Sequence, residues 1–308
     1  MLFEICRKCC LLFICLFSSF HAFSATDKFV IGFPEDDMSN DWRSAQVEQI
    51  KLELKKYPDV KFLFADAGGS IAKNIFDIEL MVNDGVQLLF LGPRDPESIG
   101  LVAAKLRSKG VYIVLLTRKI NSEDYDVFIS PDDFKIANDA AQFLVKKMSG
   151  KGTILMLEGV VSTTTAIQRK KGFMAGIKDN SGLEVISRVA NYSRLDAIAV
   201  LEELLEQGVK FDAIYAHNDA MAAGARLVLK KAGINPASIP IVSIDYLPET
   251  REAILRGEQS ASFTYPTCGK VGVEVALDLL RGKKVARNIV VSSQLVTREN
   301  ANQVEPVY

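Results

Sequence analysis

Beyond its first 24 residues this sequence has almost no cysteine and almost no histidine. Of the five cysteines, Cys6, Cys9, Cys10 and Cys15 all lie near the N-terminus, which leaves Cys268 alone. One thiol cannot close an internal disulfide, so the rest of the chain must be held by its core. The two histidines are His21 and His217. A multi-histidine metal centre is therefore excluded downstream, and a Ser-His-Asp triad would have to use His217, which reads as a core or wall residue. Neither sign of charge is in excess: 37 Lys and Arg stand against 38 Asp and Glu, for a net charge of −1. That balance leaves no electrostatic footprint for nucleic acid or an anionic membrane. No G-x-G-x-x-G follows the first apolar run and no P-loop occurs, which argues against nucleotide chemistry; Gly68-Gly69 matches neither motif.

What is there begins with a leader. Arg7 and Lys8 precede the apolar run Leu11 to Phe17, and Ala22-Phe-Ser24 supplies small residues. This is the layout of a secretory signal peptide over residues 1–24, with cleavage expected after Ser24 or Ala25. The competing reading, an uncleaved anchor, meets an apolar core short of the roughly 20 residues of a good span. Cys15 is poorly placed for lipoprotein processing. No later apolar run is long enough to insert in a membrane, so the mature chain is expected not to.

The remainder alternates short, wholly apolar runs with amphipathic segments. Expected strands are Phe29–Phe33, Val60–Ala65, Val86–Leu91, Val111–Leu116, Thr153–Leu157, Val185–Val189, Ala213–Ala216 and Ile239–Ile244. Helical spacing marks Ile71–Val82, Ala137–Met148 and Ala220–Ala232. Continuous apolar strands between helices indicate parallel sheet covered on both faces. Such units could close as a barrel or split into two open sheets. Two interruptions favour splitting: the polar stretch Thr117 to Asp126 before Val127–Ser130 and Pro131, and the region after Asp245 that runs to Pro266. Both read as chain crossings between lobes.

In open α/β sheets ligands sit at the carboxyl ends of strands. There the sequence places Asn40, Trp42 (the only tryptophan) and Arg43, then Thr117 and Arg118. In the second half it places Arg169, Tyr192, Asn218 and Asp245. Aromatic faces suit the C–H surface of a small polyol, and charged partners make strong hydrogen bonds to its hydroxyls.

The elements "NDWR", "LLTRKI", "ISPDDFKIANDAAQFL", "RKKGF", "YAHNDAMAAGA" and "VSIDYLPE" occur in one order over the whole mature chain. With them the sequence resembles the type I periplasmic sugar-binding proteins, the ribose- and galactose-binding family of ABC transporters. The resemblance implies an α/β fold of two Rossmann-like lobes with parallel sheets, joined by a three-segment hinge. It places the N-terminal lobe at 25–129 plus 264–293 and the C-terminal lobe at 130–263 plus 294–308. It implies ligand contacts from Asn40, Trp42, Arg43 and Arg118 on one lobe, from Arg169, Tyr192, Asn218 and Asp245 on the other, and from Tyr265 near a crossing. It implies a non-catalytic periplasmic monomer with no cofactor and no metal. The expected partners are a furanose-like monosaccharide and an ABC permease, or a membrane histidine kinase in a sensing relative. Two departures leave the ligand open, a non-sugar included. Thr117 stands where many relatives carry the aspartate of an Asp-Arg pair, and Glu35, Asp36 and Asp37 add an acidic run expected to be a solvated loop.

Overall fold

The computed structural model describes residues 28–307, so the expected signal peptide lies outside the described residues. The chain begins with β1 (Phe29–Glu35), α1 (Asp41–Leu54), β2 (Val60–Asp66), α2 (Ile71–Asn83), β3 (Leu88–Leu91), α3 (Pro96–Arg107), β4 (Tyr112–Leu116) and β5 (Val127–Ser130). It continues with α4 (Asp133–Lys147), β6 (Gly152–Glu158), α5 (Thr164–Ile177), β7 (Leu183–Val189), α6 (Arg194–Glu206), β8 (Ala213–Ala216), α7 (Asp219–Lys231), β9 (Ile241–Asp245), α8 (Pro248–Leu255) and β10 (Ala261–Thr264). Last come α9 (Gly269–Leu280), β11 (Asn288–Val290) and β12 (Leu295–Val296).

The strands form two six-stranded sheets, ordered β11-β5-β4-β3-β1-β2 and β12-β10-β9-β8-β6-β7. The first is parallel throughout, and in the second only β12 runs antiparallel, against β10. The first five strands of each sheet follow the same order, so the two lobes repeat one winding. Side chains alternate across each sheet. Ile31, Phe33, Leu88 and Phe90 meet α1 and α9, while Leu89, Leu91, Ile113 and Leu115 meet residues of α2 and α3. Both faces are therefore buried, which is why the strands read as unbroken apolar runs.

Polar caps start the helices. Asn40, Ser70, Asp95, Asp132, Thr163, Ser193 and Asn218 each accept a backbone N–H at the start of α1 through α7. Asp132 starts α4 earlier than its apolar pattern, and Asn218 fixes the start of α7. Among the described residues no helix is long and apolar enough to cross a membrane.

The chain passes between the sheets after β5, after β10 and between β11 and β12. The stretch Thr117 to Asp126 is not itself a crossing: it links β4 to β5 within one sheet, and the passage begins at Pro131. Likewise Tyr246 to Glu249 leads into α8, and Ala261–Thr264 is a strand rather than part of the passage. Cys268 is buried at the second passage with φ +63° and precedes α9.

Helices α4 and α5 touch so closely that a Cβ on Gly172 would lie 2.1 Å from the carbonyl oxygen of Phe134. Gly172→Ala should therefore lower stability by about 1–3 kcal/mol, read as a lower midpoint in urea. On Gly100 in α3 a Cβ would meet nothing nearer than 3.7 Å. Gly100→Ala should be neutral or stabilising by up to about 1 kcal/mol. Equal effects at the two positions would contradict this packing.

Candidate functional site

In each sheet the winding reverses direction at one point, between β1 and β3 and between β6 and β8. Loops leaving strands on either side of such a point diverge and open a crevice. The two crevices face each other, and the candidate residues sit on the loops and helix starts around them.

On the first lobe, Asn40 caps α1 by accepting from the Arg43 N–H at 3.2 Å. Trp42 in the first turn donates its indole N–H to the Tyr265 carbonyl at 2.8 Å, and the two rings lie 5.6 Å apart. The Arg43 guanidinium lies 5.6 Å from the Trp42 ring and 3.5 Å from Glu35 Oε2. Arg118, just past β4, donates to Asp36 Oδ2 at 2.8 Å.

The second lobe is built in parallel. Arg169 on α5 donates through Nε to Asp133 Oδ1 at 2.9 Å and through Nη1 to the His217 carbonyl. Its guanidinium lies 4.5 Å from the centre of the Tyr265 ring. Tyr265, in the passage that follows β10, donates its hydroxyl to Asp133 Oδ2 at 3.1 Å. Asn218 caps α7 by accepting from Met221 N and donates to the Tyr192 carbonyl at 3.2 Å. The Tyr192 ring packs on the Gly159 backbone, where an added Cβ would fall 2.0 Å from its Cζ. His217 is a fully buried core residue whose Nδ1 accepts from Gly159 N. Burial, then Arg169 and Lys170, push it well below the ordinary histidine range, so the ring is neutral.

Every candidate residue falls on one cavity. Asn40, Trp42, Arg43, Arg118, Arg169, Tyr192, Asn218, Asp245 and Tyr265 line about 340 Å³ of space that is partly open to solvent. Thr117, Tyr192 and Asp245 hold left-handed or otherwise positive φ values of 62°, 61° and 128°, so the strand ends at the cavity are conformationally strained. The two lobes also touch directly across the cleft. Thr165 Oγ1 donates to the Thr117 carbonyl at 2.9 Å, Ser162 Oγ to the Arg94 carbonyl at 2.8 Å, and Lys119 N to Thr164 Oγ1 at 2.9 Å.

Sequence reasoning missed several contributors. Thr165 lines the cavity one helical turn before Arg169, a spacing that could have marked it. Asp133 lies in a quoted motif but was not singled out, although it holds both Arg169 and Tyr265. The acidic run is the main correction. Glu35 is fully buried and Asp36 is 7% exposed, so neither belongs to a solvated loop. Two buried guanidinium groups nearby require counter-charge, and Asp36 supplies it, 2.8 Å from Arg118 and 3.9 Å from Arg43. Asp37 is half-buried and pairs with Arg94 at 3.3 Å.

The two carboxyls behave differently. Burial pushes Glu35 well above the ordinary glutamate range against the pull of Arg43, and its hydrogen bond and repulsion with Asp36 push it further. Burial also pushes Asp36 up, but Arg118, the bond with Glu35 and Arg43 together outweigh it and hold it below the ordinary range. Asp245 is raised well above its usual range by burial first and by Asp219 second, against Arg169.

The profile of the family described as a periplasmic binding protein domain matches residues 31–284. The ribose import binding protein of Bacillus subtilis is 27% identical over 274 residues, covering 88% of each chain. The galactofuranose-binding protein of Escherichia coli is 28% identical over 241 residues, covering 75% of this chain and 76% of that one. Among solved structures, the fructose-binding periplasmic domain of a hybrid two-component system superposes with a TM-score of 0.84 at 30% identity, over 89% of this chain and 92% of that one.

The carboxyl pair makes a pH prediction. Glu35, raised in the folded state, contributes stability that is fully present below the ordinary glutamate range and is lost as pH rises through its elevated value. Asp36, depressed, contributes stability present above the ordinary aspartate range and lost only in stronger acid. Glu35→Gln should therefore keep the urea midpoint in mildly acid buffer and flatten its fall as pH rises. Asp36→Asn strips Arg118 of its nearest carboxylate and should cost about 3–5 kcal/mol. A Glu35→Gln profile parallel to the parent's would overturn this assignment.

Proposed function

Since this chain belongs to the periplasmic binding protein domain family, whose members bind and do not catalyse, we propose that it captures a monosaccharide between its lobes and delivers it to an ABC transporter. A furanose-like sugar fits best. One observation carries the reading: a cavity that both lobes line, with aromatic faces and ion-paired guanidinium groups turned toward it. Rings cover the sugar's C–H surface while Arg43, Arg118, Arg169, Asn40 and Asn218 address its hydroxyls. A ligand held from both sides favours closure by hinge rotation. A missing hydroxyl leaves a buried partner without a hydrogen bond and costs affinity steeply.

The relatives named for ribose import, galactofuranose and fructose support a sugar as the ligand class. We assign the protein to the periplasm as a monomer, exported by a leader over residues 1–24 that is then cleaved. The lobes take residues 25–129 plus 264–293 and 130–263 plus 294–308. A second reading, a sensing component for a membrane histidine kinase, draws support from the two-component neighbour. Neighbouring permease and ATPase genes would favour transport, and a sensor kinase gene the alternative.

Titration calorimetry against D-ribose, D-galactose, D-fructose and L-arabinose tests the reading. A bound sugar at about 100 times its Kd should stabilise the protein by about 2.7 kcal/mol, seen as a raised Tm. Trp42→Ala and Arg118→Ala should each abolish the response in protein that still unfolds cooperatively. Silence toward every sugar in the parent protein would overturn it.

A further inference from the structure

Not every group that serves the cavity lines it. Trp42 and Arg43 reach it from the first turn of α1, and the next turn carries Gln46, which is fully buried and outside the cavity wall. Both ends of the Gln46 amide are used. Its Oε1 accepts from Arg43 Nη1 at 3.2 Å, and its Nε2 donates to the Thr267 carbonyl. A donor on one side and a carbonyl on the other leave the amide a single orientation.

Thr267 lies in the second passage between the sheets, and one face of α1 grips that passage. Trp42 donates to the Tyr265 carbonyl and Gln46 to the Thr267 carbonyl. Gln49 accepts from the Thr267 hydroxyl and from the Lys270 N–H. Of these three side chains only Gln46 is hydrogen-bonded to Arg43.

What holds Arg43 in place is therefore not a carboxylate. Glu35 Oε2 and Asp36 Oδ1 stand 3.5 and 3.9 Å away, and among the described residues the one hydrogen bond of this guanidinium goes to Gln46. Arg118, by contrast, donates directly to Asp36 at 2.8 Å. A neutral amide oxygen takes one N–H of Arg43 and leaves the rest of the planar fork to the cavity that Arg43 lines.

Resting on the reading of the cavity as a sugar site, we propose that Gln46 is the positioning residue for Arg43. It aims the guanidinium at the sugar from outside the cavity, and its other end ties that aim to the chain crossing at Thr267. A shift of the crossing moves the amide, and the amide moves the donor.

Calorimetry and urea unfolding on the full chain test this with Gln46→Met, which keeps the length of the side chain and removes both bonds. Gln49→Met is the control, since Gln49 bonds to the same crossing and not to Arg43. For whichever of D-ribose, D-galactose, D-fructose and L-arabinose binds the parent protein, Gln46→Met should raise Kd about tenfold or more, and Gln49→Met by less than about threefold. In ligand-free protein, the urea midpoint of the Gln46→Met, Arg43→Met double variant should fall by less than the two single falls together. The falls for Gln49→Met and Arg43→Met, which share no partner, should add. Should Gln46→Met not fold, Gln46→Asn withdraws the amide from Arg43 and carries the same expectations. Equal weakening of the sugar by the two glutamine variants, or additive midpoints for Gln46 and Arg43, would overturn the role of Gln46 and leave the sugar reading standing. If no sugar binds the parent protein, that reading fails, and the urea cycle alone decides whether Gln46 holds Arg43.

Discussion

Three guanidinium groups, Arg43, Arg118 and Arg169, are buried at the seam between two lobes, at 5%, 8% and 2% exposure. A buried cation without a partner is costly, and this constraint shapes everything around the cavity. Each lobe settles it internally. Asp36 serves Arg118 and Arg43 on the first lobe, with Glu35 beside Arg43, and Asp133 serves Arg169 on the second. Among the described residues no ion pair around the cavity is split between lobes, so the lobes can separate without stranding a charge. Three bonds that cross the cleft are of a different kind, hydroxyl or amide donors meeting neutral oxygens. Each is worth about 0.5–1.5 kcal/mol net, a strength suited to a contact that forms and breaks repeatedly.

Much of this was legible in the sequence, and for a physical reason. Parallel strands buried on both faces must read as apolar runs, and the winding must place their carboxyl ends together. Asn40 and Asp245, far apart in the chain, therefore meet on one cavity. The cap at Asn218 and the core position of His217 follow from local chemistry alone. What escaped depends on long-range pairing. Asp36 meets Arg118 across 82 positions of sequence, and before that contact is known, three carboxylates in a row read as solvated. Thr165 escaped because only the phase of α5 tells which of three consecutive threonines faces the cavity. The strand order and the short β11 and β12 left no pattern to read.

The resemblance of the two lobes extends beyond strand order to the walls of the cavity. Each opens its crevice at the same strand pair and starts a helix there with an asparagine cap, Asn40 or Asn218. Each also holds a positive-φ residue at the cavity, Thr117 on one side and Tyr192 and Asp245 on the other. Such backbone is unfavourable by about 1–3 kcal/mol per residue and persists only where its surroundings fix it. The rigidity of the strand ends thus lies where an incoming molecule must find groups already in place.

Trp42 is the only indole in the sequence, and it stands between the Arg43 cation and the Tyr265 ring, with its N–H on a carbonyl of a chain crossing. Packing and exposure to the cavity thus coincide in one side chain. Excited beyond the tyrosine band, the ultraviolet emission of this protein has a single source, placed at the seam between the two halves. Any change in polarity or quenching at that spot alters the whole signal, so the chain carries its own unlabelled optical gauge of opening.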